Sequence, residues 1–201
     1  MYPGIYCLAK KNHLARNLMR MYKYYPDEYN FFPKTWVLPN EATDFRNYFM
    51  KNQTNKQRVT YIVKPDSLSQ GKGIFLSRNI DHILDVTQQQ KLNTALDPNE
   101  QEKVGYIVQQ YVDRPHLIDD LKYDLRLYVM IYGMNPLRIY LHQMAFARFC
   151  TEPYARPTRN NMDNNFIHLT NYAINKFSDN YQDCEDEEGE AGHKRSLGAI
   201  L

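Results

Sequence analysis

The stretch VKPDSLSQGKGI, Val63–Ile74, decides how this chain is read. It follows the apolar run Val59–Val63 and leads into GIFLS, Gly73–Ser77. Both flanks are rich in β-branched and aliphatic residues, so they predict two strands joined by a glycine-rich turn, a hairpin. The turn itself has two readings. Glycines let backbone amides approach an oxyanion closely, and Lys72 between them adds a cation, so the segment can cradle phosphate. It can equally be an ordinary hairpin turn. The letters leave both open: a P-loop needs GxxxxGK followed by Ser or Thr, and here Gly73 follows Lys72. Lys64 ends the apolar strand, just before Pro65. A lysine there must reach water or an anion, and snorkelling to water is the ordinary solution.

Outward from this loop, the periodicity alternates between helix and strand. Leu14, Leu18, Met21 and Tyr25 fall on one stripe, which predicts a helix over His13–Tyr25. Residues 24–39, YYPDEYNFFPKTWVLP, are broken by three prolines and read as extended; a short helix follows over Asp44–Met50. Downstream, Asp81–Gln90 reads as helix, Asn93–Lys103 as loop and Tyr106–Asp113 as strand. Tyr123–Gly133 reads as one long strand, and Leu137–Phe149 as one or two more. Phe166–Lys176 is a short ordered island, and the acidic run Asp183–Glu190 reads as a solvated loop. Strands and helices mixed in this way make an α+β chain.

Composition narrows the function classes. The chain has 201 residues, of which 43% are hydrophobic, enough for one sizeable core or a few smaller lobes. A formal charge of +2 gives no general attraction to nucleic acid. Cys7, Cys150 and Cys184 are too far apart for a disulfide framework or a zinc ribbon, and suggest a reducing compartment. No stretch is apolar for long enough to cross a bilayer, and MYPGIYCLAKK lacks the apolar segment of a secretory leader. Neither a nucleic-acid nor a membrane partner is expected.

The strand KYDLRLYVMI carries more information than the glycine turn. Alternation puts Lys122, Asp124, Arg126 and Tyr128 on one face, and Tyr123, Leu125, Leu127, Val129 and Ile131 on the other. An exposed polar face of this kind is ordinary. An enclosed one would hold two cations against one carboxylate and would call for an anion. Arg148 lies in the apolar run AFARF, where an arginine either has a specific partner or snorkels. In HLTNY, His168–Tyr172, Thr170 and Asn171 offer hydroxyl and amide groups that also suit a turn.

These signals occur in one order: YIVKP, SQGKGI, VQQYV, KYDLRLYV, FARF and HLTNYAINK. That string resembles the tubulin tyrosine ligase-like family, most of all its polyglutamylase branch. The resemblance runs from CLAKKNHLARNLMRM and FFPKTWVLP through HKRSLGAIL. It implies an ATP-grasp fold of mixed or antiparallel sheets with helices, incomplete at the C-terminal end. Residues 1–55 would be the remnant of an N-terminal lobe, 56–114 a central lobe, and 115–201 the first part of a C-terminal lobe, with ATP held between lobes. It implies ATP-dependent ligation: the γ-phosphate passes to a glutamate side-chain carboxylate of a tubulin tail, and the acyl phosphate is attacked by the amine of free glutamate. Carried over by position, Lys64 resembles the strand lysine on the phosphates, and Ser69, Gln70, Gly71, Lys72 and Gly73 the flap over them. Gln109, Gln110, Tyr111 and Val112 resemble the hinge framing adenine. Lys122 and Asp124 lie where the ribose and phosphates are met, and Arg126 and Arg148, with Lys122, where phosphoryl transfer is catalysed. His168, Leu169, Thr170 and Asn171 resemble the stretch closing on the nucleotide, and Lys11 an N-terminal lysine reaching the same site.

Magnesium is implied with the ATP. The family carries its metal carboxylates and asparagine in a motif like LLEVNxSPS, which this sequence does not contain. No metal ligand is therefore assigned within the chain, which is expected to be a fragment of the catalytic core, to follow a further N-terminal lobe, to bind ATP weakly alone and not to ligate. The alternatives are a non-catalytic paralogue that binds microtubules or nucleotide, and a glycylase or tyrosine ligase of the same family. The resemblance implies tubulin tails and free glutamate as partners, and a place on cytoplasmic microtubules, cilia or basal bodies.

Overall fold

The computed structural model describes residues 4–55, 58–66, 68, 70–95, 105–183 and 191–200, with the side chains of 89–95 excepted. Ser69, Cys184 and the acidic residues 185–190 therefore lie outside the described residues, as do 96–103 of the expected loop. The chain divides into two compact units, Met1–Asp113 and Arg114–Leu201.

The first unit is a four-stranded antiparallel sheet with helices. Helices α1 (Tyr6–Ala9) and α2 (Lys11–Tyr24) precede β1 (Thr35–Leu38) and α3 (Ala42–Thr54). Strands β2 (Tyr61–Pro65) and β3 (Phe75–Ser77) form the hairpin around the glycine turn. Helix α4 (Ile80–Ala95) then leads to β4 (Tyr106–Gln110), and the strand order is β1-β4-β2-β3. Strand β1 of residues 1–55 and strands β2–β4 of residues 56–114 thus share one sheet. Period-two alternation places Tyr61 and Val63 on the buried face of β2, fully enclosed, with Trp36, Phe45, Phe49, Ile83 and Val108. Phe45 packs its ring 5.1 Å from Tyr61 and 5.3 Å from Trp36. Each such ring contributes about 2–3 kcal/mol by leaving water. Helix α3 runs longer than the Asp44–Met50 expectation at both ends and buries Phe45, Phe49 and Asn52.

The second unit contains β5 (Leu117–Ile118), β6 (Leu121–Arg126), β7 (Val129–Met134), β8 (Leu137–Leu141), β9 (Phe146–Phe149), α5 (Asn165–His168), α6 (Tyr172–Asn175) and β10 (Lys194–Ser196). Strands β5 and β6 turn through Asp119 and Asp120, at φ 53° and 58°. Two consecutive left-handed residues are what a two-residue hairpin loop requires, and aspartate tolerates them. One sheet has the order β10-β9-β6-β5, and β7 and β8 form a separate pair. All pairings of both units are antiparallel among the described residues.

The long strand expected over Tyr123–Gly133 is corrected. It breaks at Leu127–Tyr128, because β9 ends its register at Arg126↔Phe146 and offers β6 no partner beyond. The chain then pairs with itself in β7–β8. The second strand face expected there is not buried either: Leu125, Leu127 and Val129 are exposed, and so are Met130, Tyr132, Leu137 and Ile139. Strand β10 was not expected; its three residues are too few to show an alternation.

Candidate functional site

In the first unit Lys64 and Gln109 meet on the two central strands, β2 and β4. Lys64 alternates away from the buried face of β2 and is half-buried. Its ammonium donates to Gln109 Oε1 at 2.9 Å. Gln109 Nε2 in turn donates to Thr35 Oγ1 at 2.9 Å, and Thr35 donates to the Pro33 carbonyl at 2.7 Å. This chain fixes the amide orientation, so that its oxygen faces Lys64. An ammonium has three donors to satisfy, and among the described residues the hydrogen bond of Lys64 is to this one neutral oxygen. Burial, and after it the charge of Lys11, push the Lys64 pKa down.

Lys11 opens α2 and donates to the carbonyls of Pro65 at 3.3 Å and Leu68 at 2.9 Å. Asn12 beside it donates to Asp66 at 3.1 Å, and Asp66 also accepts from the Gly105 amide at 3.0 Å. The base of the glycine loop is therefore clamped by α2, which the sequence reading did not foresee for Asn12 and Asp66. The loop tip turns through left-handed backbone: φ is 62° at Gln70, 82° at Gly71 and 68° at Gly73. A Cβ at Gly73 would also stand 3.0 Å from Pro65 Cγ, so glycine is required twice over. Gln70 and Lys72 are exposed. In QQYV, the amides of Gln110 and Tyr111 are committed to the carbonyls of Lys34 and Thr60, both at 2.8 Å. Tyr111 is buried and Val112 exposed.

In the second unit the charged face of β6 is real but differently partnered. Asp124 stands opposite Arg148 in the β6–β9 register. The guanidinium grips it through two bonds, Nε at 2.9 Å and Nη2 at 2.6 Å. That bidentate pair raises the Arg148 pKa further. Arg148 thus has the specific partner that the apolar run AFARF left open. Lys122 donates to the His168 carbonyl at 2.7 Å. Arg126 is exposed and lies 5.3 Å from the Tyr128 ring centre.

The HLTN stretch is held from behind. Asn175, fully buried, accepts from the Thr151 amide and hydroxyl, both at 3.1 Å, and donates to the carbonyls of Leu169 at 2.7 Å and Asn171 at 3.1 Å. Thr170 and Asn171 are partly exposed between these anchors. His168 is buried, and its Nε2 meets the Asn161 carbonyl at 3.1 Å. Burial, then the charge of Lys122, push its pKa down to about 4, so the ring is neutral at pH 7. Asn175 stands inside the quoted HLTNYAINK, but an asparagine's burial has no signature in sequence. The same unit encloses a cavity of about 310 Å³ bounded by Arg148, Thr170, Asn175, His193 and Lys194, among others.

Among the described residues there is no group of three or more His, Cys, Asp or Glu placed to hold a metal ion, and no helix long and apolar enough to cross a membrane.

The comparisons with known proteins agree with one another. The Tubulin-tyrosine ligase family matches residues 1–201. The chain is 47% identical over 201 residues to a probable beta-tubulin polyglutamylase of Tetrahymena thermophila, covering 100% of this chain and 15% of that protein. It is 45% identical over 199 residues to the human tubulin polyglutamylase TTLL13, covering 99% of this chain and 21% of the relative. For human tubulin polyglutamylase TTLL6 the figures are 40% over 199 residues, 99% and 20%. The chain spans about a fifth or less of the length of these three curated relatives. With a whole-chain match and identities of this size, the chain belongs to the tubulin-tyrosine ligase family.

Proposed function

We propose that the chain is part of an ATP-dependent carbon–nitrogen ligase that adds glutamate to glutamate side chains of tubulin tails, through an acyl phosphate. The observation that carries this reading is Lys64: a half-buried ammonium whose hydrogen-bond partner among the described residues is one neutral amide oxygen, with Lys11 opposing its charge. A buried cation in that state is costly unless a multiply charged anion completes its shell. A triphosphate suits it. The glycine loop beside it has the backbone freedom to close over phosphates, and Lys72 adds charge from the loop tip. Val112, exposed at the end of QQYV, is where adenine would find a backbone edge, since the amides before it are committed.

The second unit supplies what phosphoryl transfer needs, namely fixed charge and position. Arg148 is locked by Asp124 and so is pre-oriented for phosphate or carboxylate. Arg126 is exposed and available to the same chemistry. Lys122 acts by positioning: it ties the HLTN stretch, with the hydroxyl of Thr170 and the amide of Asn171, to β6. ATP, when bound, supplies the phosphoryl group. The reading includes an ATP-grasp fold, microtubule tails as acceptor and a place on the cytoskeleton; the polyglutamylase names of the relatives favour glutamate over glycine or tyrosine. No step is routed through magnesium.

Calorimetric titration with ATP tests the reading. Lys64→Met should weaken ATP binding at least tenfold while leaving the fold intact; equal affinity in the two proteins would remove Lys64 from the site. Supplied with tubulin, ATP and labelled amino acids, the enzyme containing this chain should incorporate glutamate. Incorporation of glycine instead would overturn the substrate assignment.

A further inference from the structure

Strand β4 lies between β1 and β2. Gln109 stands opposite Thr35 of β1 and opposite Ile62 of β2. Lys64 is two residues beyond Ile62, so alternation puts Thr35, Gln109 and Lys64 on one face of the sheet. Their hydrogen bonds run in one direction. Thr35 is 3% exposed, and its hydroxyl has one proton to give. That proton goes to the Pro33 carbonyl at 2.7 Å. Thr35 Oγ1 is then left to accept, so it selects the amino end of the Gln109 amide, at 2.9 Å. The oxygen end faces Lys64, also at 2.9 Å. A flipped amide would aim N–H groups at the ammonium and set two acceptor oxygens against each other at Thr35. The Thr35 hydroxyl therefore decides, from across β4, what Lys64 meets. Lys11 of α2 sets like charge against Lys64, and the neutral oxygen holds the ammonium without cancelling its charge.

We propose that Thr35 is a positioning residue for Lys64: its hydroxyl locks the Gln109 amide with the oxygen toward the ammonium, so that Lys64 is held in one place with its full charge left for an anionic ligand. A carboxylate in place of the amide would hold the ammonium more tightly, but it would cancel that charge and repel phosphate. An amide free to turn would hold it less well. Thr35 acts through Gln109 alone. The consequence for affinity rests on the nucleotide reading of Lys64; the orientation of the amide does not.

The test compares the 201-residue chain with its Thr35→Val, Thr35→Ser and Gln109→Glu variants. Calorimetric titration with ATP and with tripolyphosphate gives affinity, and ¹H–¹⁵N NMR follows the Gln109 side-chain amide. Thr35→Val should weaken both anions about fivefold, the loss of one neutral hydrogen bond, and should speed solvent exchange of the Gln109 Nε2 protons. Thr35→Ser keeps the hydroxyl and should restore affinity and exchange to within about twofold of the parent. Gln109→Glu should weaken both anions about tenfold or more without lowering the urea midpoint, because the ammonium gains a carboxylate partner. A purely structural role would instead lower stability and affinity together. Undiminished affinity in Thr35→Val, Thr35→Ser as weak as Thr35→Val, or Gln109→Glu binding as tightly as the parent would overturn the proposal. Should Thr35→Val not fold, the Gln109→Glu arm decides alone. A parent chain that binds neither anion would sink the nucleotide reading of Lys64, and amide exchange in Thr35→Val would then decide the positioning role by itself.

Discussion

The two units are stabilised by different physics. The first buries a continuous aromatic and aliphatic cluster, from Trp36 and Phe45 through Tyr61 and Val63 to Val108. In the second, the buried apolar side chains among the described residues are Ala145, Ala147, Phe149, Cys150, Pro157 and Leu169, while β7–β8 leaves large apolar side chains in water. Its order comes from polar anchors instead: Asn175 under the HLTN turn, Asp124 on Arg148, Lys122 on the His168 carbonyl. In the first unit Lys64 and the glycine loop lie outside the buried cluster. In the second, the polar network that holds the structure is also the candidate site, so stability and function should respond to the same substitutions.

The largest effect should follow from attacking the core of the first unit. Phe45→Ala removes a fully buried ring that touches Trp36, Phe49 and Tyr61, and should cost about 3–5 kcal/mol. Urea denaturation followed by Trp36 fluorescence measures it, since Trp36 is the single tryptophan. A loss below about 1 kcal/mol would mean that the cluster does not carry that unit.

Acid should act through the second unit. His168 has an ordinary value of 6.5 and a folded value of about 4. Above pH 6.5 it is neutral in both states and contributes nothing to pH dependence. Between 6.5 and about 4 the unfolded chain takes up a proton that the folded one refuses, so stability falls with pH across that window, by up to about 3 kcal/mol. His168→Gln should flatten the curve in denaturant titrations over this range. An unchanged slope would show that the buried imidazole is not the titrating group.

Asn175→Ala should cost about 2 kcal/mol, because a buried amide and two carbonyls lose their partners together. Amide hydrogen exchange at Thr151 should accelerate, and ATP affinity should drop with it if the HLTN turn serves the nucleotide. The smallest effect sharpens the contrast most. Lys64→Met replaces a half-buried amine by an isosteric apolar chain, and should leave stability unchanged or raise it by up to about 1 kcal/mol, even as it removes ATP binding. A substantial loss of stability would make Lys64 a structural cation and the two units alike.

Much of the first unit was legible before folding. The hairpin around the glycine turn, the amphipathic α2 and the strand of YIVQQ follow from local periodicity and turn chemistry, which neighbours in sequence specify. The second unit was less so. The break at Leu127 was invisible because the apolar pattern continues through it; what ends β6 is the length of β9. Lys194, in HKRSLGAIL, and Asn175, in HLTNYAINK, carry no local signal of the partners they meet in the fold.

By itself, the sequence determined the alternation of helix and strand, the cations at Lys64, Arg126 and Arg148, and the family, because each resides in short-range pattern or in the order of motifs. Only the tertiary structure decided which charges find which partners: Asp124 neutralises Arg148, Lys64 meets the neutral oxygen of Gln109, and Lys194 stands opposite Arg148 in the β9–β10 register. The reason is that such pairing depends on distance through space, and the partners are separated by 24 residues for Asp124–Arg148 and 45 for Lys64–Gln109, well beyond the reach of any local rule.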